Sequence, residues 1–329
     1  MDRRKFLKTT AGSAAFSAVQ SPFVQAQAAW PAPGRTIKVI VPFPPGAAND
    51  ALGRLLAQRL QEKFGASTVV ENRTGGSGLI GTNAVIQAEP DGYTLLASAF
   101  NTAVMPMILK GATFDPETDL EVISRTAVAP LVCVMTATRP QKTMSEMLAA
   151  AKANPTEWLF AISALGSAGH LATIDFARRT GIKFSLVPYR GTAPALTDIM
   201  SGNVQLFIDP AFALLPTARD GTRARALGIA SKTRSQLAPD LPTIGEQGLP
   251  GFEFNSWYGV WAPKGTPRDI TEKVNALMQE TLRDPAVVPR LTSQLLEPVT
   301  ESIAESKKFI AAEIVRARDL LKLVNFQPE

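Results

Sequence analysis

Ile37-Lys38-Val39-Ile40-Val41-Pro42-Phe43-Pro44-Pro45-Gly46-Ala47-Ala48-Asn49-Asp50 is the stretch that decides the fold. Its first five residues are rich in β-formers, and Pro42 followed by Pro44-Pro45 ends the run. From Asp50 to Phe64, leucines fall at 52, 55, 56 and 60, the spacing of one helix face. A strand that hands over to a helix through a short Gly/Ala loop is the building unit of a parallel sheet.

The unit recurs. Thr68-Val69-Val70 predicts a second strand, 81–88 a helix, Pro90-Asp91-Gly92 a turn, and Tyr93-Thr94-Leu95-Leu96 a third strand. Farther along, 131–135, 160–162, 184–187, 204–208, 226–230 and 258–261 read as strands. The stretches 143–153, 171–179 and 193–200 read as helices, and the chain from Arg268 onward is mostly helical. This rhythm predicts an α/β fold with a largely parallel sheet. A chain of 329 residues exceeds what one small core fills, so two lobes are expected. The first is drawn over 29–127 plus 235–329 and the second over 128–234.

Charge is unevenly spread. Arg3, Arg4, Lys5 and Lys8 against Asp2 supply +3 of the net +5, leaving +2 for everything after residue 28. The opening Asp2-Arg3-Arg4-Lys5-Phe6-Leu7-Lys8 precedes an Ala/Ser-rich stretch and then Ala26-Gln27-Ala28, a small-x-small cleavage pattern. Residues 1–28 are therefore expected to be a twin-arginine-type export signal, removed near Ala28 to leave a periplasmic protein. No run of Lys and Arg interleaved with aromatics remains in the body, which argues against nucleic-acid binding. One cysteine, Cys133, and one histidine, His170, exclude an internal disulfide and a zinc site built from Cys and His. Cys133 lies in the apolar run Leu131–Met135 and reads as core.

Ligands in open α/β sheets sit where strand-to-helix loops converge. Three such loops stand out: Pro42–Asp50, Ser163–His170 and Tyr189–Ala195. Each places small residues, hydroxyls and free amides at a helix start, a ready site for an anion. Asp50 reads equally well as a helix cap. Gly76-Ser77-Gly78-Leu79-Ile80-Gly81 matches the dinucleotide fingerprint, yet no acidic residue ends the next strand, so no cofactor is expected. A Ser-His-Asp triad would have to use His170, with Ser167 only three residues away in the same loop, and no G-x-S-x-G elbow exists.

At these loops the chain resembles the substrate-binding proteins of tripartite tricarboxylate transporters, the Bug family. The resemblance is carried by Val41–Gly46 with Asp50, Val70-Glu71-Asn72-Arg73, Pro90–Leu96, His170-Leu171-Ala172, Val187–Leu196, Asp240–Thr243, and Trp257-Tyr258-Gly259 before Ala262-Pro263. It implies a two-lobed, type II periplasmic-binding-protein-like fold with crossing hinge strands. It implies no enzymatic activity, but capture of a small carboxylate by lobe closure and its delivery to the membrane permease subunits of such a transporter. A monomer is expected. The implied ligand residues are Pro45, Gly46, Ala47, Ala48 and Asp50 on one side, where Phe43 and Asn101 are expected to complete the pocket and set its size and polarity. On the other side the implied residues are Ser167, Ala168, His170, Tyr189, Gly191, Thr192, Ala193 and Asp209, with Phe212 nearby. One departure stands out: where such proteins carry further glycines after the first, this chain has Ala47, Ala48 and Asn49. Two alternatives remain at this level, an exported hydrolase or lyase using the same cleft, and a ligand-sensing accessory of a receptor.

Overall fold

A computed structural model describes residues 30–329, so the expected export signal over 1–28 lies outside the described residues. The chain begins with β1 (Thr36–Val41), α1 (Ala48–Phe64), β2 (Ser67–Asn72), α2 (Leu79–Ile86), β3 (Thr94–Ala99) and α3 (Asn101–Ile108). It passes through β4 (Leu120–Thr136) into α4 (Met144–Ala153), β5 (Leu159–Ile162), α5 (Ala168–Thr180), β6 (Ser185–Pro188), α6 (Thr192–Ser201), β7 (Leu206–Pro210), α7 (Ala211–Ala218) and β8 (Ala224–Ile229). It returns through β9 (Asn255–Pro263) and closes with α8 (Arg268–Thr281), α9 (Val288–Thr292), β10 (Glu297–Pro298) and α10 (Ile303–Leu323).

The topology has one pivot. β2, β1 and β3 run parallel, β9 joins β3 antiparallel, and β9 pairs with the first part of β4, from Leu120 to Pro130. The remainder of β4, Leu131–Thr136, pairs instead with β7 and β8, and β7, β5 and β6 form a second parallel group. A single strand of 17 residues thus belongs to both halves. At the changeover, Leu131 N–H donates to Phe254 O, Phe254 N–H to Ala230 O, and Ala230 N–H to Leu131 O, at 3.3, 2.9 and 2.8 Å. Two crossing segments tied by three backbone bonds make a narrow waist, the geometry in which one half swings against the other.

Local chemistry explains the element ends. Ser167 caps α5 by accepting the His170 N–H, and Gly181 ends that helix in the left-handed conformation. Ser302 and Glu305 form a reciprocal capping box at α10. In the first half, Ile37, Val39 and Val41 bury one sheet face under Leu52, Leu55 and Leu56 of α1 and Val274 and Met278 of α8. In the second half, Val132, Val134 and Phe207 pack against Ile199 and Leu214. A third core runs behind the waist, where Ile310 and Ile314 of α10 join Trp257, Trp261, Phe160 and Phe176. Each of these large side chains contributes roughly 1.5–3 kcal/mol by burial. Among the described residues, no helix is long and apolar enough to cross a membrane.

Three features differ from the sequence reading. The strand at 131–135 is the second half of β4, and its first half goes unsignalled because its side chains are buried on both faces, leaving no alternation. Helices α3 and α7 contain Pro106 and Pro216, which ordinarily argue against a helix interior. The sheet is also less parallel than expected, since β4, β8 and β9 all pair antiparallel.

Candidate functional site

The first loop is built around Asp50. Its Oδ2 accepts from Gly46 N–H at 3.1 Å and from Arg54 Nε at 3.0 Å, and its Oδ1 accepts from Asn72 Nδ2 at 2.9 Å. Asn72 also donates to Phe43 O, fixing the chain on both sides of Pro44-Pro45. Burial pushes the Asp50 carboxyl upward, but bonds from Arg54, Asn72 and Gly46 outweigh it and hold the group below its ordinary value. The chain turns at Gly46, where φ is 87°. Ala47 then sits at φ −78°, ψ 165°, so the alanine that departs from the family's glycines adopts an ordinary backbone. No side chain caps α1, which leaves its first amides free to face outward.

The second and third loops meet it from the other half. Gly169, in the first turn of α5, lies so close to β7 that an added Cβ would stand 2.2 Å from Ile208 O and 2.9 Å from Asp209 Oδ1. Helix α6 begins after Gly191, at φ 112°, again with no side-chain cap. Asp209, at the end of β7, is buried and accepts from Ser163 Oγ at 2.8 Å and Thr192 Oγ1 at 2.5 Å. Burial pushes its carboxyl up to about 7, against the lowering effect of the Thr192 and Ser163 bonds.

Between the halves lies a cavity of about 490 Å³, within the range that holds a small metabolite. The N-termini of α1, α5 and α6 all border it, through Ala48 and Asn49, Ala168, and Thr192 and Ala193. Phe43, Phe100, Phe212, Leu196, Pro44 and Pro194 form apolar walls, and Ser256 and Tyr258 of the crossing strand β9 complete the lining. Arg190, exposed, is the one basic side chain among the residues lining it. Three helix dipoles aimed at one space, with apolar walls around them, suit a small anion carrying a hydrocarbon body. A larger hollow of about 660 Å³ between α1 and α8 is walled by Arg59, Glu62, Lys63, Glu280 and Asp284. Those charges already pair with one another across an open surface, so they leave little for a ligand.

Phe43, Pro45, Gly46, Ala47, Ala48, Asn101, Ser167, Ala168, Gly191, Thr192, Ala193 and Asp209 all line this one cavity, as does Phe212. Asp50, His170 and Tyr189 do not. Asp50 is committed to the first loop, as described above. His170 is buried, its Nδ1 accepts from Gly166 N–H at 3.1 Å, and its ring meets Phe326 edge-on. Burial lowers its pKa to about 4, so it is a neutral packing group. Tyr189 OH donates to Asp198 Oδ2 at 2.7 Å, and burial together with that carboxylate raises the phenol pKa. Lining residues the site prediction lacked include Asn49, Ser163, Arg190, Ser256 and Tyr258. Ser163 and Arg190 fell inside the nominated loops, whereas the β9 pair had no sequence signal.

The G-x-G-x-x-G stretch is a packing device. A Cβ at Gly81 would stand 2.8 Å from Arg73 O and from Pro42 Cβ, so the glycine lets α2 lie directly on the first loop. Asn101 Nδ2 donates to Ser77 O at 2.9 Å, tying that stretch to the cavity wall. Cys133 is buried, and desolvation pushes its thiol up to about 12.

Known proteins agree with this geometry. Residues 52–326 match the family described as the tripartite tricarboxylate transporter family receptor. Protein BugT of Bordetella pertussis is 39% identical over 286 residues, covering 86% of this chain and 87% of that protein. The structure of the periplasmic binding protein BugD superimposes with a TM-score of 0.84 at 29% identity, over 90% of this chain and 100% of that one. R. palustris Rpa4515 with adipate gives 0.86 at 34% identity, over 90% and 99%. MatC from Rhodopseudomonas palustris with bound malate gives 0.80 at 28%, over 88% and 99%. This chain therefore belongs to the tripartite tricarboxylate transporter receptor family and is a solute-binding receptor of two-lobed, type II periplasmic-binding-protein-like fold rather than an enzyme.

Proposed function

We propose that this receptor captures a small carboxylate in the periplasm by closing its two lobes and delivers it, as a monomer, to the permease subunits of a tripartite transporter. The single observation that carries this reading is the meeting of three helix N-termini from opposite lobes at one apolar-walled cavity. Ala48 and Asn49 present amides from the first lobe, and Thr192 and Ala193 from the second. An anion bridging both sets binds the closed form better than the open one, and that difference drives closure. Each amide bond to the charge is worth about 1.5–3 kcal/mol once water is excluded. Adipate and malate in the related structures support a carboxylate as the ligand.

The residues grouped here as binding are those lining the cavity. Asp50, His170 and Tyr189 serve it from behind by shaping the three loops. The lobe division is part of the same reading. Thr243 bridges to Ile229, Ile244 N–H donates to Ile229 O, and Gln247 Nε2 donates to Leu227 O. Those bonds support carrying the second lobe on to the crossing at Phe254 rather than ending it at 234. The segment 1–28 is read as the export signal on its sequence.

Isothermal titration of the protein with succinate, malate, adipate, glutamate and benzoate tests the proposal. Saturable binding of at least one carboxylate, without its chemical conversion, is the expected result. Failure of every carboxylate to bind, or turnover of one of them, contradicts it.

A further inference from the structure

We propose that Asp209 is the proton-binding member of the ligand site and takes up a proton as the carboxylate ligand arrives. This rests on the carboxylate reading above and deepens it. Ser163 Oγ and Thr192 Oγ1 each lie within hydrogen-bond distance of a different Asp209 oxygen. An ionised carboxylate only accepts, so both hydroxyl hydrogens point at it. Ser163 and Thr192, which border the cavity, then turn only lone pairs toward the ligand. A ligand carboxylate arriving at the start of α6 would meet acceptors facing acceptors, beside a buried negative charge.

The surroundings offer Asp209 no cation. On β4, Val132 is its register partner, and Cys133 stands opposite Ile208 instead. On α5, Gly169 lies so close that an added Cβ would stand 2.9 Å from Asp209 Oδ1, and His170 is turned to Gly166 N–H and Phe326. On β9, Tyr258 feels the Asp209 charge and has its own phenol pKa raised, first by burial. Arg190 stands exposed on the lining without a salt bridge among the described residues.

One proton resolves the conflict. It neutralises the buried charge, and the acid O–H then donates to one of the two hydroxyls. That hydroxyl is released to donate to the ligand in turn. Buried and unpaired, the carboxyl titrates at about 7 before any ligand is present. Ligand charge raises that value further. Below the free-site value the proton is already in place and affinity is flat. Above it, binding must bring a proton, and affinity falls by up to about tenfold per pH unit.

The test is titration calorimetry with succinate, malate, adipate and benzoate, from about pH 5 to 9, in paired buffers of different ionisation enthalpy. Wild-type protein is expected to take up a fraction of a proton near pH 7, approaching one per ligand above it, with Kd weakening in parallel. Asp209→Asn holds the site neutral; it should bind more tightly than wild type above pH 8 and show neither uptake nor pH dependence. Should that variant fail to fold, the proton count on wild type decides alone. Ligand binding with no proton uptake at any pH, or an Asp209→Asn variant that keeps the wild-type pH profile, overturns this inference and leaves the receptor reading intact. No binding by any probe at low pH overturns the carboxylate reading itself.

Discussion

Ser77 Oγ accepts a hydrogen bond from the Leu165 backbone N–H at 3.2 Å, joining the glycine-rich turn before α2 to the loop before α5. The two residues stand on opposite sides of the waist, Leu165 next to the cavity-lining Ala164 and Ser77 bonded through its carbonyl to the cavity-lining Asn101. Pro44 and Gly191 approach each other across the same gap, with the Pro44 ring 3.7 Å from where a Gly191 Cβ would lie. The lobes are therefore in contact at their lips as well as at their hinge.

Ser77→Ala removes the acceptor from this link. One neutral hydrogen bond is worth about 1 kcal/mol, so the apparent Kd for a bound carboxylate should weaken about fivefold. The loss should appear mainly as faster release, because a bond between the two lobes holds them together over the ligand. Stopped-flow dissociation checks this; an unchanged release rate contradicts it.

Gly169→Ala places a Cβ against Ile208 O, where no flexible side chain can yield. The start of α5 must move off β7, carrying Ser167, Ala168 and the Asp209 contacts with it. A cost of about 1–3 kcal/mol in stability and at least a tenfold loss of affinity are expected. Chemical denaturation and calorimetry read the two effects separately. A neutral outcome for both would contradict the close approach of α5 and β7.

Asp50 has its folded pKa held down, so the sign of its pH dependence follows. The stabilisation it supplies is complete above its unfolded pKa, near 4, and is lost as pH falls through the lower folded value. Asp50→Asn should be destabilised by roughly 1–2 kcal/mol at neutral pH, through loss of charged bonds to Arg54 and Gly46 N–H. The gap should narrow in denaturant melts run near pH 3, below the unfolded value. A gap of constant size at both pH values contradicts the account.

Arg190 is the sole cation on the lining, at a cavity whose amides can engage one carboxylate. Arg190→Gln should weaken dicarboxylates by about three- to fivefold, the upper value of an exposed ion pair, and leave monocarboxylates within twofold. Comparing adipate with hexanoate by calorimetry isolates the second charge. Equal losses for both ligands would remove Arg190 from any role in selectivity.

Much of this site was legible in the sequence because its chemistry is mainly backbone chemistry. Small residues after a β-rich run, at the head of a periodic helix, mark exposed amides whatever the rest of the chain does. That logic selected the loops at 42–50, 163–170 and 189–195, and all three border the cavity. Side-chain direction was not legible. Asp50 and His170 each sit in a first helical turn, and whether such a residue faces the ligand or the loop behind it depends on partners distant in sequence, Asn72 and Phe326 among them. Ser256 and Tyr258 went unseen for a related reason, since only the crossing of β9 beneath the lobes brings them to the cleft. The first half of β4 shows the limit for the fold: buried on both faces and ended by Pro130, it offers neither alternation nor a clean terminus.

The most direct measurement is a crystal structure of the protein with a bound carboxylate from the binding screen. The account predicts its carboxylate oxygens within hydrogen-bond distance of the Ala48 or Asn49 N–H on one side and the Thr192 or Ala193 N–H on the other. A ligand seated in the hollow between α1 and α8, or held by one lobe alone with the cleft open, would contradict it.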